Sequence, residues 1–187
     1  MDITRTLYVK DAKSWRAWLR KNHKTKKEIW LVYYKKKTGK PRISYNDAVE
    51  EALCFGWIDS IQKSLDADRT VQRFSPRKPG VKYSQQNKER LRALLRQRKV
   101  VKAVANSLKD VLDEKFEIPP DILKKIQASP LAWKNFQKFS KPYQRIRIAY
   151  IDGARKRPAE FRKRLRHFIE MTEQKKQFGY GGIEKHY

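Results

Sequence analysis

The sequence predicts an α+β fold: a small, mainly antiparallel sheet covered by helices, followed by an all-helical C-terminal region. Three observations carry that prediction. Short β-branched and aromatic runs gather before residue 76, and two of them face each other across Leu65-Asp-Ala-Asp-Arg69. Helical periods, several opened by proline, fill the remainder. The strands are too few and too unevenly spaced for a doubly wound sheet.

Each element has a local reason. Ile3-Thr-Arg-Thr-Leu-Tyr-Val9 reads as a first strand. Asp11 can cap a helix whose apolar positions Trp15, Trp18 and Leu19 lie at i, i+3 and i+4. Glu28-Ile-Trp-Leu-Val-Tyr-Tyr34 is a run suited to burial on both faces of a sheet. Ser44 with Asp47 three residues on resembles a capping box, and Gly56 supplies a left-handed stop after Ala52 and Leu53. Trp57 to Lys63 and Thr70 to Ser75 form the two arms of a hairpin, broken by Pro76 and Pro79-Gly80. Ser84 can cap a third helix with Leu91, Leu94, Leu95 and Val101 on its buried stripe. Pro119-Pro120, Pro130, Pro142 and Pro158 open the later helices. The last carries Phe161, Leu165, Phe168 and Ile169 inward and is expected to end at Gly179-Tyr-Gly-Gly182. The expected organisation is a core domain over 1–102, a connector over 103–118, a helical subdomain over 119–178 and a Gly-rich tail over 179–187.

Composition narrows the partners. Hydrophobic residues at 39% and aromatics at 12% are enough to build a core, unlike a disordered basic tail. One cysteine allows no internal disulfide, and His23, His167 and His186 show no ligand spacing, so neither a metal nor a cofactor is expected. No run of about 18 apolar residues exists and the start lacks an apolar signal core, which makes the cytoplasm the expected compartment. Against 20 acidic residues stand 46 basic ones, a net charge of +26. The excess sits in two blocks: residues 69–102 carry 12 basic side chains against Glu89 alone, and residues 134–187 carry 15 against 5. Such a field attracts polyanions and weakens with salt. A solvated surface adapted to its surroundings accounts for the same charge.

Several segments together resemble one family. They are Trp15-xx-Trp18-Leu19, Trp30-Leu-Val-Tyr-Tyr-Lys35-Lys36, Ala52-Leu-Cys-Phe-Gly-Trp-Ile-Asp59, Phe74-Ser-Pro-Arg77-Lys78 and Ser84-xx-Asn87-Lys88. The tail adds Ile118-Pro-Pro-Asp121, Trp133 with Phe136, Tyr150-Ile-Asp-Gly-Ala-Arg155 and Arg162-Lys-Arg164-Leu. In this order they resemble the YdeI/OmpD-associated, or bacteriocin-protection, proteins across nearly the whole chain. The resemblance implies a stress or antimicrobial-protection association and brings no catalytic residue with it. Two positions depart from the pattern. Tyr83 stands where Trp usually precedes Ser-xx-Asn, and Arg96-Gln-Arg98-Lys-Val replaces a Gly-Met turn after the third helix.

The block Ala52–Asp59 and the cationic Arg73-Phe-Ser-Pro-Arg-Lys78 define the candidate site. Trp57 and Asp59 share one strand face by alternation. Trp57 would be a pocket wall and Asp59 an orienting group, with Arg73, Arg77, Lys78, Ser84, Asn87 and Lys88 around an anionic small molecule near a helix start. Structural pairing of Asp59 with Arg73 or Arg77 is the competing reading. The alternative function is sequence-independent nucleic-acid binding through Arg90, Arg96, Arg98, Arg155, Arg157, Arg162 and Arg166. An enzyme using Asp59 as general base is weaker, because no histidine partner or nucleophile dyad accompanies it. Cys54, near a helix C-terminus, is expected to be a small buried hydrophobe.

Overall fold

The computed structural model describes residues 2–179 and 183–186. The chain divides into two compact units, one of Met1–Tyr83 with Leu91–Lys109, the other of Ser84–Arg90 with Asp110–Tyr187. Four strands and nine α-helices occur among the described residues, with the strands all before residue 77.

The first unit is built on a sheet in the order β1 (Thr6–Tyr8), β2 (Ile29–Tyr34), β4 (Arg69–Pro76), β3 (Trp57–Ser64). β1 runs parallel to β2; the other two pairings are antiparallel. The expected first strand is thus shorter than 3–9. α1 (Ala12–Asn22) begins on Asp11, whose carboxylate accepts the Ser14 N–H, as expected. α2 (Tyr45–Cys54) begins on Ser44, which accepts the Asp47 N–H and donates to its carboxylate at 2.7 Å. β2 is buried from Ile29 through Tyr33, which matches the run read from sequence.

Register decides which side chains share a face. Ile29 lies opposite Phe74, Leu31 opposite Gln72 and Tyr33 opposite Thr70. Asp59 lies opposite Phe74 and Gln62 opposite Gln72, with a bulge between Asp59 and Gln62. Directly opposed residues point the same way, so Ile29, Leu31, Tyr33, Thr70, Gln72, Phe74, Asp59 and Gln62 occupy one face. Its apolar end meets the helices: Trp15 packs edge-on to Phe74 at 5.5 Å and donates its indole N–H to the Ala48 carbonyl at 3.0 Å. The opposite face holds Trp30, Val32 and Val71, closed by Ile3, Tyr34 and Leu65.

Two short helices, α4 (Lys102–Ser107) and α5 (Lys109–Asp113), occupy much of the stretch read as a connector. Fewer than two turns each leave too little apolar period for sequence to announce them. α3 (Gln85–Arg96) starts on Ser84 as expected, with the Asn87 N–H on its hydroxyl at 3.3 Å. Leu91–Arg96 belong to the first unit and Gln85–Arg90 to the second.

The second unit packs α6 (Pro120–Gln127), α7 (Pro130–Phe136), α8 (Lys141–Asp152) and α9 (Pro158–Glu173) around Ile122, Ile126, Phe136, Tyr143, Ile148, Ile151, Leu165 and Phe168. Asn135 ties α7 to the end of α9 through the carbonyls of Thr172 and Glu173. α9 ends at Glu173, earlier than the glycines suggested. Lys175, at φ 56°, takes the left-handed position, and the Lys176 N–H returns to the Met171 carbonyl at 2.9 Å. Of the expected tail, residues 180–182 and 187 lie outside the described residues, and Ile183–His186 form a 3₁₀ turn.

Candidate functional site

Gly56, at φ 73°, turns the chain out of α2 and directly into β3. Trp57 follows at 1% exposure, its indole N–H donating to the His23 carbonyl at 3.1 Å and its ring edge-on to Trp18 at 5.8 Å. That places it in the core, without the solvent-facing surface a pocket wall needs. Asp59 is half-buried and accepts the Tyr45 hydroxyl at 2.6 Å. Arg73 neighbours Phe74, so it projects from the opposite face to Asp59. There it pairs with Glu28 at 2.7 Å and reaches the Ser60 and Ser75 hydroxyls at 3.3 Å. Hydrogen bonds from Thr4 and Arg73 hold the Glu28 carboxyl below the usual range. The Arg77 guanidinium carbon lies over the Tyr83 ring, 3.7 Å from its centre, and Arg77 donates to the carbonyls of Val81 and Lys82. Lys78 is exposed. Asp59 therefore has a tyrosine partner where sequence suggested Arg73 or Arg77.

The remaining expected contacts belong to the second unit. Ser84 is exposed and serves as a helix cap, and Asn87 accepts an N–H from Arg90 at 3.0 Å. Lys88 pairs with Glu114. Arg90 is itself buried at 6% exposure, which removes it from any surface that nucleic acid can reach. Arg155 forks onto Asp121 at 3.0 and 3.2 Å and also holds Asp152 at 2.7 Å. Its guanidinium depresses the Asp121 carboxyl. Arg157 and Arg162 are exposed, and Arg166 is exposed with only a loose 3.9 Å approach to Glu170.

In the first unit Arg96 and Arg98 are exposed. Arg98 also adopts φ 56°, with its N–H on the Leu95 carbonyl at 2.9 Å and the Lys99 N–H on Leu94 at 3.0 Å. This is the glycine position of a helix-ending motif, and it falls within the five residues that replace the expected Gly-Met turn. A side chain there costs about 1–2 kcal/mol in backbone strain.

Sequence reasoning missed one polar cluster. The Tyr33 hydroxyl is buried, the residue being 5% exposed, and has no hydrogen-bond partner among the described residues. Leaving such a group unsatisfied costs roughly 1–3 kcal/mol. Burial raises its phenol pKa, the charges of Tyr45 and Asp59 add to the shift, and Arg42 opposes it. Tyr33 looked like core in sequence, and nothing in its spacing links it to Tyr45 or Asp59. Cys54 is fully buried and its thiol is pushed up to about 11 by desolvation, so it is poorly suited to act as a nucleophile. Among the described residues no set of three His, Cys, Asp or Glu side chains could hold a metal ion, and no helix is long and apolar enough to cross a membrane.

Comparison with known proteins divides the chain much as its architecture does. Residues 7–107, more than half of the chain, match the family model described as a domain of unknown function (DUF8412). Residues 115–175 match the model described as bacteriocin-protection, YdeI or OmpD-associated. The resemblance traced along nearly the whole sequence is therefore matched by that name over the helical part, and the Leu-Cys-Phe-Gly-Trp-Ile-Asp block falls in the other domain. No curated protein and no solved structure matches the chain. The chain belongs to the family of that domain of unknown function, and behind it carries a YdeI/OmpD-associated, bacteriocin-protection domain.

Proposed function

We propose that this protein binds polyanions, nucleic acid among them, by charge rather than by sequence, and that it does so in the cytoplasm in a stress or bacteriocin-protection setting. The observation that carries this reading is the cost accepted at Arg98. A cation sits exposed, without an ion pair among the described residues, in a left-handed conformation that glycine would adopt without strain. Strain of that kind persists where the residue is used. Lys175 repeats the arrangement in the second unit. Each unit thus offers its own exposed cations: Arg96, Arg98 and Lys99 in the first; Arg157, Arg162, Lys163 and Arg166 in the second.

The small-anion pocket has less support. Arg73 and Lys88 already have carboxylate partners, Arg77 is held by two backbone carbonyls and the Tyr83 ring, and Trp57 is enclosed. A cation with its charge already matched gains less from a second anion. Electrostatic binding needs only exposed cations, and each phosphate neutralised adds to the salt dependence.

Fluorescence anisotropy with labelled RNA, duplex DNA and inorganic polyphosphate across a salt series tests the proposal. All three should bind, with log K falling linearly against log salt at a slope of several units. Absence of binding at low salt, or a slope near zero, overturns it.

A further inference from the structure

One end of the helix-covered sheet face differs from the rest of the core. Beneath α1 and α2 that face is apolar, with Ile29, Leu31, Phe74 and Trp57 buried. Along β2, β4 and β3 the same face then turns polar. Tyr33 stands opposite Thr70 and Gln72 opposite Gln62, while Asp59, on the near side of the bulge, stands beside Phe74 at the border of the apolar part. Exposure rises outward: Tyr33 and Gln72 are buried, Thr70 and Asp59 half-buried, Gln62 exposed. Tyr45, 47% exposed, reaches over from the first turn of α2 to donate to Asp59.

The chemistry of this patch is unlike that of the surrounding surface. It offers one carboxylate that only accepts, two amides and several hydroxyls that both donate and accept, and a tyrosine ring open to solvent. A phosphate or carboxylate ligand would meet Asp59 first, and the cation whose charge bears on Tyr33 there is the exposed Arg42. A metal or ammonium ion would find a single carboxylate. Vicinal hydroxyls, by contrast, pair well with mixed donors and acceptors, and their C–H faces pack on an exposed aromatic ring. The Tyr33 hydroxyl, buried and without a partner among the described residues, would then have one.

We infer that Tyr33, Tyr45, Asp59, Gln62, Thr70 and Gln72 form a binding site for a neutral, hydroxyl-rich ligand of the saccharide class. Asp59 accepts from two ligand hydroxyls once Tyr45 swings aside, and the Tyr33 hydroxyl bonds the group that enters deepest. This site is separate from the polyanion reading and does not depend on it.

Two-dimensional ¹H–¹⁵N spectra of the intact protein titrated with glucose, N-acetylglucosamine and maltose test the inference, with inorganic phosphate as the charged control. Saturable shifts confined to amides of β2, β3, β4 and the start of α2, unchanged by added salt, are expected for at least one sugar. Asp59→Asn should weaken that binding about 10-fold or more. Tyr33→Phe, which keeps the ring, should weaken it while leaving the fold intact. Gln62→Ala, at an exposed position, provides a variant that folds even if the other two do not. Absence of saturable shifts with every sugar overturns the inference, as do shifts that survive in all the folded variants. Stronger shifts from phosphate at the same amides overturn it in favour of an anion.

Discussion

Two helix ends in the first unit use the same left-handed backbone and resolve it differently. After α2 the position is Gly56, at φ 73°, where an added Cβ would come within 3.2 Å of Val104 Cγ2. After α3 it is Arg98, at φ 56° and exposed. At the first, backbone conformation and packing both exclude a side chain. At the second only the conformation objects, and a charged side chain remains. The contrast separates what the fold requires from what the surface retains at a cost.

The largest test acts on the constrained end. Gly56→Ala should destabilise the protein by about 2–3 kcal/mol, combining left-handed strain with the contact to Val104. Chemical denaturation measures it, and a loss below about 0.5 kcal/mol would erase the distinction between the two ends. Next comes the contrast between a matched cation and an unmatched one. Arg73 has Glu28, so Glu28→Gln should cost about 1 kcal/mol at neutral pH. Glu28 has a folded pKa below its unfolded one, so its contribution is fully present above the unfolded value and fades as pH falls through the folded one. The gap between wild type and Glu28→Gln should therefore close on acidification; a constant gap would show that the carboxylate charge is not what matters.

Arg98→Gly runs the opposite way. It should stabilise the fold by roughly 0.5–1 kcal/mol while lowering the magnitude of the salt slope for RNA by about 1. Arg98→Asn, which tolerates the left-handed conformation without charge, should lower the slope equally. Stability gained with no change in slope would mean that Arg98 contributes nothing to polyanion binding. Lys175→Gly, which relieves the same left-handed conformation at the end of α9, should give a gain of about 0.5 kcal/mol, measured as a shift in Tm.

What could be read from sequence was local. Asp11, Ser44, Gly56 and Ser84 announce helix ends through side-chain and backbone chemistry within four residues, and each serves that end. The hairpin and the buried run of β2 followed from alternation and composition. What sequence could not supply was register. The pairing of Asp59 with Phe74 sends Arg73 to the opposite face, and only the turn and the bulge set that pairing. Partner choice was equally hidden, because Glu28 and Arg73 meet across 45 residues of chain and Tyr45 and Asp59 across 14. Two of the candidate anion contacts, Arg73 and Lys88, are cations of the right kind whose matching carboxylates, Glu28 and Glu114, lie far along the chain.

The irregularity in β3 has a further consequence. β3 is the outermost strand beside β4, and Ile61 on it is 43% exposed. An outer strand with unpaired backbone N–H and C=O groups is a template on which other chains can pair. The extra residue between Asp59 and Gln62 bends the strand and interrupts its regular spacing. Ser60 meanwhile has its carbonyl occupied by the Gln72 amide at 3.1 Å. A bend of this kind breaks the flat edge that such pairing needs, and a deletion that straightened it is expected to raise aggregation, read as light scattering.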